Sequence, residues 1–402
     1  MKEKKKSVTT FGGHLPVGGI LLGLVVGLGL WNAPAEMQDA TPVPRFRVDP
    51  FWPKSLPAVK DSAGMHQWVT GEVGATCIDS HDHVITVNRG FQKNGLVAQD
   101  GTMSHPAPPV VVYDPDTGDV VATWGDPAIT PAGANAVMPH GIHGCFADYQ
   151  DNIWIAGNAD GVVQKWSHAG KMLLQIGTKG LCDGPPTLSP KAPYPTCGSP
   201  GFNSSRTLLN NPADVAVDPN PDPVTGQVGS VYIADGYGNH RIVVFDGAGK
   251  YLRQFGSAGS GPGQFVASGG GHPHCVVLGN DGLVYACDRG QNRIHVFDKT
   301  GTFRKTIPID PPTHLQATLR ATDIAFSRDK EQRFMYVTDL GSDTVWIVDR
   351  VLGTIVGSIG HAGHNAGQFT FLHTLATDSK GNLYVSETVN GRRNQKFVKV
   401  ND

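Results

Sequence analysis

Short apolar runs recur along this chain, each broken by a turn that contains Asp or Gly. The unit is a first apolar strand, a turn, a second apolar strand ending near Asp, and a third strand of the type Arg-Ile-Val-Val-Phe at 241–245. Its members begin at Thr76, Ile142, Ala213, His274, Thr322 and Thr374. Their turn positions are Asp79, Asp148, Asp218, Gly279, Ser327 and Asp378, which stand 69, 70, 61, 48 and 51 residues apart. Propeller repeats run to about 40–50 residues, so the longer spacings predict insertions, at 92–109, 126–137 and 178–210. A Gly-rich segment after each unit supplies a fourth, outer strand, as at 171–176, 251–255 and 353–359. A single four-stranded blade has two bare faces, whereas six around an axis bury those faces on one another. The pattern therefore predicts an all-β fold: a six-bladed β-propeller of four-stranded antiparallel blades over 70–402. Residues 36–69 form a leading segment in which 46–53 supply a ring-closing strand for the last blade. A β-sandwich gives no reason for six alike units.

Composition agrees and narrows the partners. Glycine (51) and proline (29) make up about a fifth of the 402 residues, too many breakers for a mainly helical chain. A net charge of −2 gives no footprint for nucleic acid or an anionic membrane. At the N-terminus, Lys2, Lys4, Lys5 and Lys6 precede an apolar run over 15–31 and the small-residue site Ala33-Pro34-Ala35. That is the order of a secretory signal peptide covering 1–35, with an uncleaved anchor as its rival and the only route to a membrane. The folded part is expected to be a secreted or periplasmic monomer in an oxidising compartment, where its six cysteines can pair. Cys182 and Cys197 share one Pro-rich loop and are the first pair expected. Cys77, Cys145, Cys275 and Cys287 either pair or stay buried as thiols.

The candidate chemistry lies in what does not repeat. Three histidines stand just before or at the first strand of a blade: His140, His274 and His373. Their separations, 134 and 99 residues, are roughly two blades each, which predicts threefold positions around the central channel. Three neutral imidazoles with open remaining positions form the ligand set of a catalytic zinc. Arg89, Tyr237 and Arg289 each follow a second strand and so open toward the same end. An arginine there can grip a carboxylate through two parallel hydrogen bonds. A phenol beside a dication and an arginine can act as a base.

Two resemblances follow from these residues. The segments at 256–265 and 360–369, each Gly-rich and ending Gly-Gln-Phe, resemble the NHL repeat family, which implies the propeller and no particular activity. The set Asn88-Arg89-Gly90, Pro139-His140-Gly141, Asp235-Gly236-Tyr237, Pro273-His274, Asp288-Arg289 and Leu372-His373 resembles the peptidyl-α-hydroxyglycine α-amidating lyases. That resemblance implies zinc on His140, His274 and His373, Tyr237 as base, and Arg89 and Arg289 assisting it and the substrate. The implied reaction cleaves the C–N bond of an α-hydroxyglycine-like small molecule or peptide terminus to glyoxylate and a primary amide. The family's structural calcium is less supported, because Leu372 and Thr374 flank the last histidine where the family has proline and aspartate. Two other functions fit the pattern: a zinc hydrolase of lactones or esters with Asp235 or Asp288 as base, and a non-catalytic NHL-propeller binding module.

Overall fold

The structure is a computed structural model that describes residues 42–61, 64–90, 104–125, 138–188, 195–197, 200–267, 271–311 and 319–400. Apart from Pro42 these belong to one compact unit, Val43–Asp402. The expected signal segment 1–35, the insertion 126–137 and the greater part of 92–109 lie outside the described residues. Among the described residues no helix is long and apolar enough to cross a membrane. The one helical element among the described residues is a 3-10 turn at Arg289–Gln291.

The described chain is almost entirely β and includes six four-stranded sheets, each antiparallel throughout. The first holds Val73–Ile78, Val84–Asn88, Val110–Tyr113 and Val120–Trp124. The second to fifth are consecutive quartets starting with Ile142–Ala147, Asp214–Val217, Val276–Leu278 and Ile324–Phe326. The sixth is built from Leu372–Thr377, Leu383–Glu387 and Arg393–Val400, with Arg45–Asp49 from the start of the chain as its outer strand.

Burial explains why the strands read as they do. Second and third strands such as Val231–Asp235 and Arg241–Phe245 are buried at every position, because a neighbouring sheet covers each face. Continuous apolar runs result. Outer strands such as Thr354–Ile359 alternate exposed and covered residues, since one face meets solvent. The turn between first and second strands is held by its aspartate. Asp148 Oδ1 accepts the amides of Gln150 and Asn152 (both 2.9 Å), and Asp79 Oδ1 those of His81 and His83 (both 2.9 Å).

Consecutive sheets share their cores. One buried cluster joins Ala75, Ile85 and Val87 of the first sheet to Ile142, Ile153 and Ile155 of the second. Others join the second to the third, the third to the fourth, the fourth to the fifth and the fifth to the sixth. The sixth meets the first where Tyr384 packs with Val84, Val111, Tyr113 and Trp52. First strands also lie side by side, Val73–Ile78 against both Ile142–Ala147 and Leu372–Thr377. All six cysteines are paired. Cys182–Cys197 closes its loop as expected, Cys275–Cys287 staples the fourth sheet, and Cys77–Cys145 ties the first sheet to the second.

The last bridge spans 68 residues of sequence, so the chain-entropy argument assigns it about 4 kcal/mol. Replacing Cys77 and Cys145 together by serine should lower the unfolding free energy by roughly 2–5 kcal/mol, read from the denaturant midpoint at unchanged slope. An unmoved midpoint would show that the shared cluster alone holds these two sheets.

Candidate metal centre

The site is assembled by one register rule. Counting back five residues from each turn position gives Gly74, His143, Ala213, His274, Thr322 and His373. These six positions lie at or just before the start of the innermost strands, and they alternate between imidazole and backbone carbonyl. His143 Nδ1–H donates to Ala213 O (2.7 Å), His274 Nδ1–H to Thr322 O (2.6 Å) and His373 Nδ1–H to Gly74 O (2.7 Å). Each histidine is thus held by the next sheet in order. A carbonyl oxygen can only accept, so each Nδ1 carries the proton and each Nε2 keeps its lone pair. The three rings converge, with centroids 4.8, 4.7 and 5.1 Å apart, and their ligand atoms lie within 4.8 Å of one another.

Glycine makes this approach feasible. A Cβ on Gly74 would stand 2.7 Å from Ile142 O, and one on Gly144 would stand 2.6 Å from the Asp214 Cα. Extra chain is also fed into the strand starts. Pairing shifts register between Val73 and Ala75, between Leu372 and Thr374, and opposite Ile155 to Gly157. Such bulges re-aim a side chain, and here they stand at Gly74, His373 and His143.

The trio contains His143 and not His140, which corrects the expectation from sequence. His140 stands in the loop before the strand, where its amide donates to Asp160 Oδ2 (2.7 Å) and its Nδ1 lies 3.4 Å from the same oxygen. Lys179 closes that cluster, 3.3 Å from Asp160. The Pro-His motif resembles the one at His274, but the physical equivalence is distance from the turn. His143 is five residues before Asp148, as His274 is before Gly279 and His373 before Asp378, whereas His140 is eight. That count was available in the sequence.

Tyr237 completes the centre. It follows the strand Val231–Asp235, and its hydroxyl lies 3.0 Å from His143 Nε2 and 3.2 Å from His274 Nε2. The guanidinium of Arg289 stands over the tyrosine ring at 5.1 Å. Both residues sit on rigid turns. Asp235 binds Arg241 Nε (3.0 Å) and Asn239 (2.7 Å), and Asp288 binds Arg293 Nε (2.8 Å). Arg89 is buried nearby with a different set of partners. Its Nη1 donates to Glu72 Oε2 (2.8 Å) and Thr388 Oγ1 (3.3 Å), and its Nε donates to Ile142 O, the carbonyl just before His143. Glu72 gave no signal in the sequence, because it precedes the first repeat.

Burial holds the His143 imidazole well below its ordinary 6.5, aided by the charges of His373 and His274 and of Arg89 and Arg289. His274 is held down likewise by burial and by Arg289. Neutral imidazoles that carry the lone pair on Nε2 are what a divalent metal requires, and Nδ1–H bonds to carbonyls are the usual outer support of such ligands. The donor set therefore fits a metal ion with open positions.

Further along the inner strands a cavity of about 230 Å³ is lined by Asp214 and Asp323 among others. Their carboxylates accept the amides of Val276 (3.0 Å) and Leu375 (3.1 Å), linking the third sheet to the fourth and the fifth to the sixth. Burial pushes Asp214 up to about 7, and pushes Asp323 well above the usual range, with the charge of Asp214 adding to it.

The NHL repeat family model matches residues 271–297, the stretch that carries His274 and Arg289. Over 372 residues the chain is 25% identical to NHL repeat-containing protein 3 of Homo sapiens, covering 89% of this chain and 85% of that protein. It is 30% identical over 258 residues to a probable peptidyl-alpha-hydroxyglycine alpha-amidating lyase of Caenorhabditis elegans, covering 62% and 61%. With peptidylglycine alpha-amidating monooxygenase of Rattus norvegicus it shares 27% over 244 residues, 58% of this chain but 21% of that longer protein. A solved streptogramin B lyase structure superposes with a TM-score of 0.51 at 13% identity, over 88% of this chain and 98% of that one, a likeness of fold alone.

A raised carboxyl favours the folded state while it is protonated. The stability it gives is complete below its unfolded value near 3.8 and is lost as pH rises toward about 7. Asp214→Asn keeps an oxygen acceptor for Val276 and removes that loss. Its stability relative to the wild type should therefore grow between pH 4 and pH 7 and then level off, as measured by denaturant unfolding at each pH. A constant difference would mean that Asp214 titrates normally.

Proposed function

We propose that this chain is a metal-dependent carbon–nitrogen lyase, a six-bladed β-propeller exported from the cell, acting on an N-acyl-α-hydroxyglycine or a closely similar carbinolamide. One observation carries the reading: three Nε2 lone pairs meet at one point, and a tyrosine hydroxyl touches two of those nitrogens. The ring closure is supported by the clusters that join each sheet to the next and the sixth to the first. Export is supported by three disulfides and by the N-terminal pattern. Similarity to a probable amidating lyase supports the reaction class.

His143, His274 and His373 would hold the metal, and zinc suits a three-imidazole set with open positions. Such an ion supplies Lewis acidity, making a substrate hydroxyl more acidic and steadying oxyanion charge. The protein's own groups do the rest. Tyr237 stands where it can take the hydroxyl proton as the C–N bond breaks. Arg289, whose guanidinium stands over that ring, could grip a substrate carboxylate through two parallel hydrogen bonds. Arg89 supports the site from behind, fixing the Ile142 carbonyl beside His143 while paired with Glu72. The proton that Tyr237 takes from the hydroxyl is returned to the departing amide nitrogen, giving glyoxylate and a primary amide. A hydrolase would need a carboxylate base at the metal. Asp235 and Asp288, the two candidates, are instead bound to Arg241 and Arg293.

Metal analysis tests the ligand set. His143→Ala should lose the bound metal, and His140→Ala should keep it. The opposite pattern would restore the Pro-His-Gly histidine as ligand. Activity tests the chemistry. Tyr237→Phe keeps the ring and its packing, so release of glyoxylate from an α-hydroxyglycine substrate should fall roughly 10²–10⁴-fold while metal content stays constant. Unchanged turnover would remove Tyr237 as base and the lyase mechanism with it.

A further inference from the structure

A second group of ligands lies at the opposite end of the inner strands, away from the three converging histidines. Asp79 follows the innermost strand of the first sheet, His83 stands at the far side of the same turn, and His168 belongs to the turn between Val162–Trp166 and Met172–Ile176 of the second sheet. Both imidazoles address one oxygen: Asp79 Oδ2 lies 3.0 Å from His83 Nδ1 and 2.9 Å from His168 Nε2. The three donor atoms lie within 4.8 Å of one another. The Asp79 side chain is fully buried, while those of His83 and His168 are 32% and 40% exposed, so the cluster has one dry side and one open side. Burial pushes the Asp79 carboxyl up, but His168, His83 and two backbone amides together hold it below the usual range.

We propose that Asp79, His83 and His168 form a second divalent-metal site, which clamps the first sheet to the second. Two nitrogens and one carboxylate oxygen are borderline donors that suit Zn²⁺ or a similar transition ion, with water in the open positions. The cation would take the place of the two protons that now lie between each imidazole and Oδ2. Asp79 is already rigid, since Oδ1 accepts the amides of His81 and His83. The two histidines therefore have only to turn about a fixed carboxylate. The Cys77–Cys145 bridge joins the same two sheets, and Cys77 is two residues from Asp79. Covalent and metal links would thus reinforce one seam.

The proposal does not depend on metal at the His143 centre, and the test keeps the two apart. The full chain, stripped by chelator, is titrated with Zn²⁺ alone by calorimetry, and its melting temperature is followed in parallel. His168→Ala and His83→Ala are partly exposed changes that leave the buried trio intact. Each should bind one equivalent fewer than the wild type and lose part of the zinc-induced rise in melting temperature. His274→Ala should retain the equivalent that His168→Ala loses. If the rim variants bind as many equivalents as the wild type with unchanged affinity, the proposal is overturned. It is overturned equally if the wild type binds a single equivalent that His274→Ala abolishes. A single wild-type equivalent lost in His168→Ala but kept in His274→Ala would support the rim site and sink the other centre.

Discussion

Three hydrogen bonds, from the Nδ1 atoms of His143, His274 and His373 to the carbonyls of Ala213, Thr322 and Gly74, set the geometry of the histidine centre. Each joins the inner strand of one sheet to that of the next. Leaving such a buried group unpaired costs about 1–3 kcal/mol, comparable to a sizeable part of a domain's net stability. The imidazoles therefore keep their orientation only while each of these pairs of inner strands stays together. The same bonds fix the tautomer, and the tautomer points three lone pairs at one spot. Fold and site are in this respect a single structure.

The rest of the site is held by repeat chemistry put to local use. Asp235–Arg241, Asp288–Arg293 and Glu387–Arg393 each pair a buried carboxylate with an arginine, fully buried only at Arg241, at the ends of second strands in three different sheets. Pairs of this kind add little net stability, because the cost of desolvating the charges offsets their attraction. Their effect is to fix a turn. In the third and fourth sheets those turns carry Tyr237 and Arg289, so a phenol hydroxyl and a guanidinium are held beside the histidines on rigid supports. Arg89 lies under the strand start of a neighbouring sheet and acts through Glu72 and the Ile142 carbonyl.

The two ends of the inner strands differ in character. At one end the lining is neutral nitrogen, with imidazoles kept uncharged by burial. Beyond it the lining is carboxyl, with Asp214 and Asp323 kept protonated more readily than usual by the same burial. Both carboxylates are also structural, since each holds the next inner strand by an amide. The strand turns at that end carry aspartate again, and Asp79 gathers two histidines there.

The repeat itself was legible in the chain. Turn aspartates, apolar triplets of strands and Gly-rich outer segments recur visibly, because each sheet must bury the same faces and make the same turn. The pairing of Cys182 with Cys197 was legible for a similarly local reason. Two of the three converging histidines were found through their alternate-unit placement, and Tyr237 and Arg289 through the turns that carry them. The third converging histidine was expected at His140 and stands at His143, because a Pro-His motif is a feature of sequence, while the convergence is set by distance from the turn and by a bulge at the strand start. Glu72, the carbonyl partners and the cross-sheet bond of His168 to Asp79 were out of reach for a further reason. Their partners lie tens to hundreds of residues away, and backbone oxygens carry no residue identity. The sequence determined which elements form and which side chains are present; only the packing of six sheets decided which of those side chains meet.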